Sequence, residues 1–385
     1  MTDSNPMSRE GSAQHSCQPN QLPSLTEDIA IGSIRDFFRD KPFLFFGTGM
    51  SCAIDARFGM AALKNELILR IEELRLVTDQ NRQWQQVVQS LQIGEDLESS
   101  LNSVTDSDLL QMITKITGRF VASLDRDFAL RISNGDTVWP ATNFVKRLVD
   151  TLPEGDPILH ALTPNYDLLF EHACDSAGIP YTSGFCGGIE RRCDWAAAGQ
   201  SLLVREKVRR RNRLVYDSKL RKHARLYKVH GSLNYFFHQN RVVENDSWMW
   251  SPPDFAQRVL ITPGFSKYEM LQHYRQELLQ SADRAIQNAS QFLFLGYGFN
   301  DNHLDEYIKR KLITQRCKGL IVTRDTNPRV EDILSRAPNL WLICKVADAN
   351  NDSARIRNNQ YSGWLNLPGK KIWDITEFTK YIFGE

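Results

Sequence analysis

Six short apolar runs constrain this chain more than any other feature: FLFF at 43–46, ILHAL at 158–162, LYKV at 226–229, FLFL at 292–295, LIV at 320–322 and LWLI at 340–343. Unbroken apolar runs of this length fit strands buried on both faces, and such strands occur in parallel sheets covered by helices. Turn or helix signals flank each run. The segment 266–290 places Tyr274, Leu278, Ala282, Ala285 and Ile286 along one helical face with charges on the other. The pattern predicts an α/β fold, a Rossmann-like doubly wound parallel sheet.

More than a hundred residues without strand character separate the first two runs, too many for a simple crossover. Apolar spacing in DLLQMITKITGRFVASL and NFVKRLVDTL is helical, so residues 60–155 are read as an inserted helical subdomain leaning on the sheet. The expected organisation is a disordered tail at 1–27, the Rossmann-like domain at 28–59 and 156–345, and a C-terminal extension at 346–385. A second insertion, at about 184–225, holds the densest charge. Between Val204 and Lys228 eleven Arg or Lys face two acids. Such a run is a solvated face or subunit contact, or it meets anions, either carboxylates of a neighbouring chain or phosphates of a nucleic acid; a protein partner is the preferred reading.

The formal net charge is +1, which excludes a global field steering the molecule to nucleic acid or an anionic membrane. The polar first 27 residues lack a signal-peptide core, and no run reaches the ~18 apolar residues of a membrane span. No membrane contact is expected and a cytoplasmic location is. Seven cysteines without a C-x-x-C pair fit a reducing compartment, and no metal site is expected.

Polar chemistry gathers where the strands end. FLFFGTGMS places Gly47, Thr48, Gly49 and Ser51 after the first strand, where glycines let backbone N–H groups approach a phosphate; a tight strand-to-helix turn explains the same residues. TPNYD places Asn165 and Asp167 after the second, either as reactive groups or as an Asx-turn opening the next helix. KVHGSLNY places His230 and Ser232 after the third. FLFLGYGFNDNHL then sets Gly296, Tyr297 and Asp301 after the fourth, with Asp301 also suited to capping a helix.

These motifs, in this order, resemble the sirtuin superfamily, and more closely its bacterial SIR2-like branch acting in anti-phage defence. Gly47-Thr48-Gly49-Met50-Ser51 resembles the family's phosphate loop, Thr163-Pro164-Asn165-Tyr166-Asp167 the motif beside nicotinamide, His230-Gly231 the catalytic histidine, and Gly296-Tyr297-Gly298-Phe299 the late nucleotide loop. Two features depart from the protein deacylases of the family. Asp55-Ala56-Arg57-Phe58-Gly59-Met60 replaces their Pro-Asp-Phe-Arg segment, and no cysteine lies between the His-Gly motif and the late loop, where their zinc module sits.

The resemblance implies an NAD+ glycohydrolase that releases nicotinamide and ADP-ribose. Asn165 would orient water, His230 accept a proton, and Asp167 fix the loop or stabilise developing positive charge. Gly47, Thr48, Gly49, Ser51, Arg57, Ser232, Gly296, Tyr297 and Asp301 would surround the nucleotide. It further implies a ring-like homo-oligomer regulated by a HerA-type hexameric ATPase. The alternatives are an NAD-dependent protein deacylase and a nucleic-acid-binding subunit using residues 205–228.

Overall fold

In a computed structural model, residues 22–210, 213–260, 269–347 and 352–384 are described, without the side chains of 210, 269–278, 302 and 303. Nine strands form the central sheet: β1 (Phe43–Phe46), β2 (Ile158–Thr163), β3 (Tyr181–Thr182), β4 (His223–Lys228), β5 (Gln291–Leu295), β6 (Lys318–Val322), β7 (Leu340–Lys345), β8 (Ala354–Arg357) and β9 (Leu365–Leu367). Their spatial order is β9-β8-β7-β6-β5-β1-β2-β4-β3. The pairings from β7 through to β3 are all parallel, and only those of β8 with β7 and of β9 with β8 are antiparallel. All six apolar runs are therefore parallel strands of one sheet.

Alternation along β1 shows why helices cover both faces. Leu44 and Phe46 join a core with Leu159, Ala161, Leu293 and Leu295, closed by helices Glu27–Phe37, Thr142–Asp150, Leu169–Ala177 and Ile375–Phe383. Phe43 and Phe45 point the other way, into a core with Phe292 and Phe294 that receives Ala282, Ile286, Ile308 and Ile333. Ala282, Ala285 and Ile286 are buried as their spacing predicts; the side chains of Tyr274 and Leu278 lie outside the described residues. Each fully buried phenylalanine contributes on the order of 2 kcal/mol, so this strand pair is a principal source of cohesion.

The insertion is helical, as its spacing predicts. Helices Met60–Glu72, Thr78–Gln92 and Leu97–Leu101 close a core of their own around Trp84 with the start of the long helix Ser107–Ser133, whose later residues Leu124, Phe128 and Ile132 enter the main core. Asp125 on that helix is fully buried, and its carboxylate accepts the N–H of Leu168 at 2.7 Å and contacts His172 Nε2 and Trp250 Nε1, each at 3.3 Å. The insertion is thereby tied to the turn after β2.

Three expectations are corrected. The tail does not extend to 27: Leu25 is buried, Ser24 bridges Ser362, and the N–H of Ser362 donates to the carbonyl of Pro23. Residues 1–21 lie outside the described residues. The segment after 345 is not an appendage, because β8 and β9 extend the sheet and Ile375–Phe383 packs on it. The stretch after 184 contains strands as well as charge: Phe185–Gly187, Arg191–Cys193, Gly231–His238, Arg241–Glu244 and Gln257–Leu260 make a second, antiparallel sheet, and Leu203–Arg210 with Arg213–Leu220 make an isolated ribbon.

Gly231 joins the two sheets. It follows β4 with φ +85°, and a Cβ there would lie 2.1 Å from the carbonyl oxygen of Val259. Gly178 also has positive φ, +66°, but opens onto free space. Gly231→Ala is expected to lower stability to urea by at least about 2 kcal/mol, and Gly178→Ala by about 1, the conformational cost alone. Equal losses would show that strand 257–260 yields without cost.

Candidate active site

The connection from β1 leads to β2 on one side, whereas the chain later crosses to β5 on the other, so a topological switch point lies at β1. Here two loops meet backbone to backbone. The N–H of Gly47 donates to Leu295 O at 3.0 Å, and that of Gly49 to Gly296 O at 3.1 Å. A Cβ on Gly47 would sit 2.7 Å from Gly296 O, one on Gly49 2.8 Å from Gly296 Cα, and one on Gly296, where φ is +55°, 2.8 Å from Gly49 Cα. These glycines are required for the two loops to approach. The N–H groups of Gly47 and Gly49, read from the sequence as phosphate donors, are engaged by β5 and its loop. Substitution of Gly296 accordingly strains the fold before it affects a ligand.

Next along the edge is the turn after β2. Thr163 Oγ1 accepts the N–H of Asn165 at 3.0 Å, turning the chain. The Asn165 amide nitrogen then donates to Gly47 O at 3.1 Å and to Ser51 Oγ at 2.9 Å, while the Thr48 hydroxyl approaches Oδ1 at 3.5 Å. Both amide hydrogens are used, so Oδ1 is the end of the side chain left to act.

Asp167 supports this arrangement from behind. Ser51 Oγ donates to its carboxylate at 2.8 Å, and its Oδ1 also accepts the N–H of Leu169 at 3.3 Å, the Asx-turn geometry. Of the two roles inferred for Asp167, fixing the loop is the one these contacts match. Burial raises its pKa to about 6, opposed by Lys228. Lys228, itself fully buried, donates to the backbone carbonyl of Asp167 and pairs with Glu171 at 2.9 Å. A line of contacts thus runs from Lys228 through Asp167 and Ser51 to Asn165.

β2 and β4 pair with Thr163 opposite Lys228, so Asn165 and His230 each follow the paired strands by two residues. His230 Nε2 lies 2.6 Å from Asp301 Oδ2. Asp301 arrives from the loop after β5, on the far side of β1 and β2. With strands spaced about 4.8 Å apart, that loop crosses roughly 14 Å to reach His230. The other oxygen of Asp301 caps helix Asn302–Lys309 by accepting the N–H of Leu304 at 3.1 Å. The capping role therefore holds, and the same carboxylate reaches His230. Phe299, within the crossing loop, has φ +55° and is fully buried, a strained conformation of the kind concentrated at functional sites.

Other expected residues are placed differently. The Tyr297 side chain turns into the core, its hydroxyl donating to Asp305 Oδ1 at 2.7 Å, so only its backbone can face a ligand. Arg57 is committed to Asp55 at the surface, with contacts of 2.7–3.1 Å, and makes no hydrogen bond to Asn165 or His230. Ser232 is fully buried with its hydroxyl unpartnered. Among the described residues no group of three His, Cys, Asp or Glu is arranged to hold a metal ion.

Three participants were not legible from sequence. Glu98, from the insertion, is half-buried and senses His230, Asp301 and Arg329; burial raises its pKa, His230 and Arg329 opposing. Lys228 gives only a generic strand-end signal. Asp305 lies one helical turn beyond Asp301, fully buried, with Oδ2 unpartnered.

The model of the SIR2-like domain family matches residues 159–336, from β2 past β6, which supports placement in the sirtuin-like superfamily and NAD-dependent activity in a broad sense. No curated protein matches the chain. No helix among the described residues is long and apolar enough to cross a membrane.

Asp305 gives the site a pH signature. Burial holds its carboxyl up at about 7, so below pH 4 it is protonated whether folded or unfolded. Between pH 4 and 7 only the unfolded chain ionises, and stability declines by about 1.4 kcal/mol per pH unit from this group. Asp305→Asn keeps the acceptor for Tyr297 and removes the titration. The stability of this variant relative to wild type is expected to rise from pH 4 to 7 and level off above; a flat difference in urea midpoints would show that Asp305 titrates normally.

Proposed function

We propose that the chain hydrolyses NAD+ to nicotinamide and ADP-ribose. The observation that carries this reading is the fixed orientation of Asn165, whose Oδ1 is presented at the switch point beside a histidine paired with an aspartate. Breaking the nicotinamide–ribose bond develops positive charge on the ribose, and a rigid carbonyl dipole favours that charge while aligning water against it. As water adds, the bonding pair departs with neutral nicotinamide and one water proton is released. His230 accepts it: Nε2 is bonded to Asp301, which stabilises the imidazolium, and Nδ1 makes no hydrogen bond among the described residues.

The remaining groups suit a dinucleotide. The Thr48 hydroxyl and Asn165 Oδ1 match ribose hydroxyls. Arg329, in the first turn of helix Pro328–Arg336, brings a cation to the positive end of that helix beside the crossing loop, a suitable pairing for pyrophosphate. The anti-phage role, the ring-like assembly and control by a HerA-type ATPase belong to the same proposal and rest on the resemblance of the motifs.

Asn165→Ala and His230→Ala are each expected to lower NAD+ turnover by about 10²-fold or more. Asp301→Asn should lower kcat with KM nearly unchanged, because it touches His230 rather than the nucleotide. Liberated nicotinamide, measured on variants with wild-type circular dichroism, checks this. Near wild-type turnover in either alanine variant would remove that residue from the mechanism, and acyl-lysine-dependent nicotinamide release would favour the deacylase.

A further inference from the structure

The ribbon of Leu203–Arg210 and Arg213–Leu220 joins neither sheet. Its base adjoins the start of β4, and Lys222 Nζ donates to the carbonyl of Asp150 just ahead of β2, so it departs from the amino ends of the strands, opposite the Asn165–His230 edge. Residues 213–219 are exposed throughout, including Leu214 at 75% and Tyr216 at 68%. A lone two-stranded hairpin is marginal in water, and a surface of this kind is usually completed by a partner.

Pairing sorts its charges by face. Residues directly opposite share a face, so Leu203/Leu220, Arg205/Ser218, Lys207/Tyr216 and Arg209/Leu214 form one side. That side has three cations on one strand and no acid, with Lys207 Nζ 5.6 Å from the centre of the Tyr216 ring. The other side holds both acids, Glu206 and Asp217, together with Lys219 and Arg213, and Lys219 pairs with Glu206 at 3.2 Å and Glu154 at 3.7 Å. Acidity is thus turned away from the cationic face.

We propose that the Arg205–Lys207–Arg209 face binds duplex DNA, with the ribbon lying in the major groove. Here cations occupy three successive positions of one strand face, with no acid among them. Neighbouring cations on it stand about 7 Å apart, and the strand extends roughly 25 Å. A B-DNA major groove, about 12 Å wide, admits a two-stranded ribbon; the major groove of duplex RNA is too narrow. Arg and Lys contact phosphates and base edges, and the exposed Tyr216 and Leu214 present apolar surface to sugars and thymine methyls. With a net charge of only +1 on the whole chain, attraction depends on local faces such as this one.

Fluorescence anisotropy of the full chain with a labelled 20-base-pair DNA across a potassium chloride series tests the proposal. Wild type is expected to bind with strong salt dependence. The combined Arg205→Gln, Lys207→Gln, Arg209→Gln variant should weaken binding at least about tenfold and reduce the slope of log K against log salt by about 2 to 3, whereas Lys219→Gln, on the opposite face, leaves the slope unchanged. NAD+ turnover, where present, should survive the triple substitution, so failure here is separable from failure of the hydrolase reading. Absence of DNA binding at low salt, an unaltered slope, or equal affinity for duplex RNA would overturn the proposal. So would a change in sedimentation of the triple variant without DNA binding by wild type, which would assign the face to another copy of the chain.

Discussion

The contact on which the rest of the site depends is the one between three glycines, Gly47 and Gly49 after β1 and Gly296 after β5. Because none carries a Cβ, two backbones approach closely enough for the N–H of Gly49 to reach the carbonyl of Gly296. That approach sets helix Thr48–Cys52, and with it Ser51, which is shared between Asn165 and Asp167. It also launches the β5 loop across β1 and β2, so that Asp301 meets His230. Conformational freedom of glycine and sheet topology are therefore prior to the chemistry, since each reactive side chain is held by a group whose position the contact determines.

The second support is electrostatic and lies deeper. Lys228 and Glu171 form a buried pair in which Glu171 Oε2 has no partner among the described residues, so the compensation for burying it comes from the other bond of the lysine. Lys228, two residues before His230 in the chain, donates that bond to the Asp167 carbonyl. One strand end thus carries both the histidine and the cation beneath the asparagine turn. A change at Lys228 would disturb both loops together.

The six parallel strands were legible because burial on both faces leaves no polar alternation to confuse them. The antiparallel strands were not. Gly231–His238 mixes Ser232, Asn234 and Tyr235 with apolar residues, and Ala354–Arg357, one strand in from the sheet edge, alternates apolar residues with arginines, so neither shows an unbroken run. Candidate residues at strand ends were identifiable by type, but their partners lie far away in sequence: 71 residues separate His230 from Asp301 and 57 separate Lys228 from Glu171. For the same reason Gly47 and Gly49 read as phosphate ligands, since Gly296, the feature that demands them, lies beyond the reach of a local motif. The basic segment was read as charge; only strand pairing shows that its charge is sorted by face.

The central claim is that water, activated at the Asn165–His230 edge, is the nucleophile toward the nicotinamide-bearing ribose. Incubating the purified chain with NAD+ in ¹⁸O-enriched water and weighing the products by mass spectrometry addresses it directly. The account predicts free nicotinamide and ADP-ribose with one ¹⁸O on the ribose carbon that held nicotinamide, under conditions where product exchange with solvent is measured and subtracted. Unlabelled cyclic product, or an acylated ADP-ribose formed only with an acyl-lysine peptide, would contradict it.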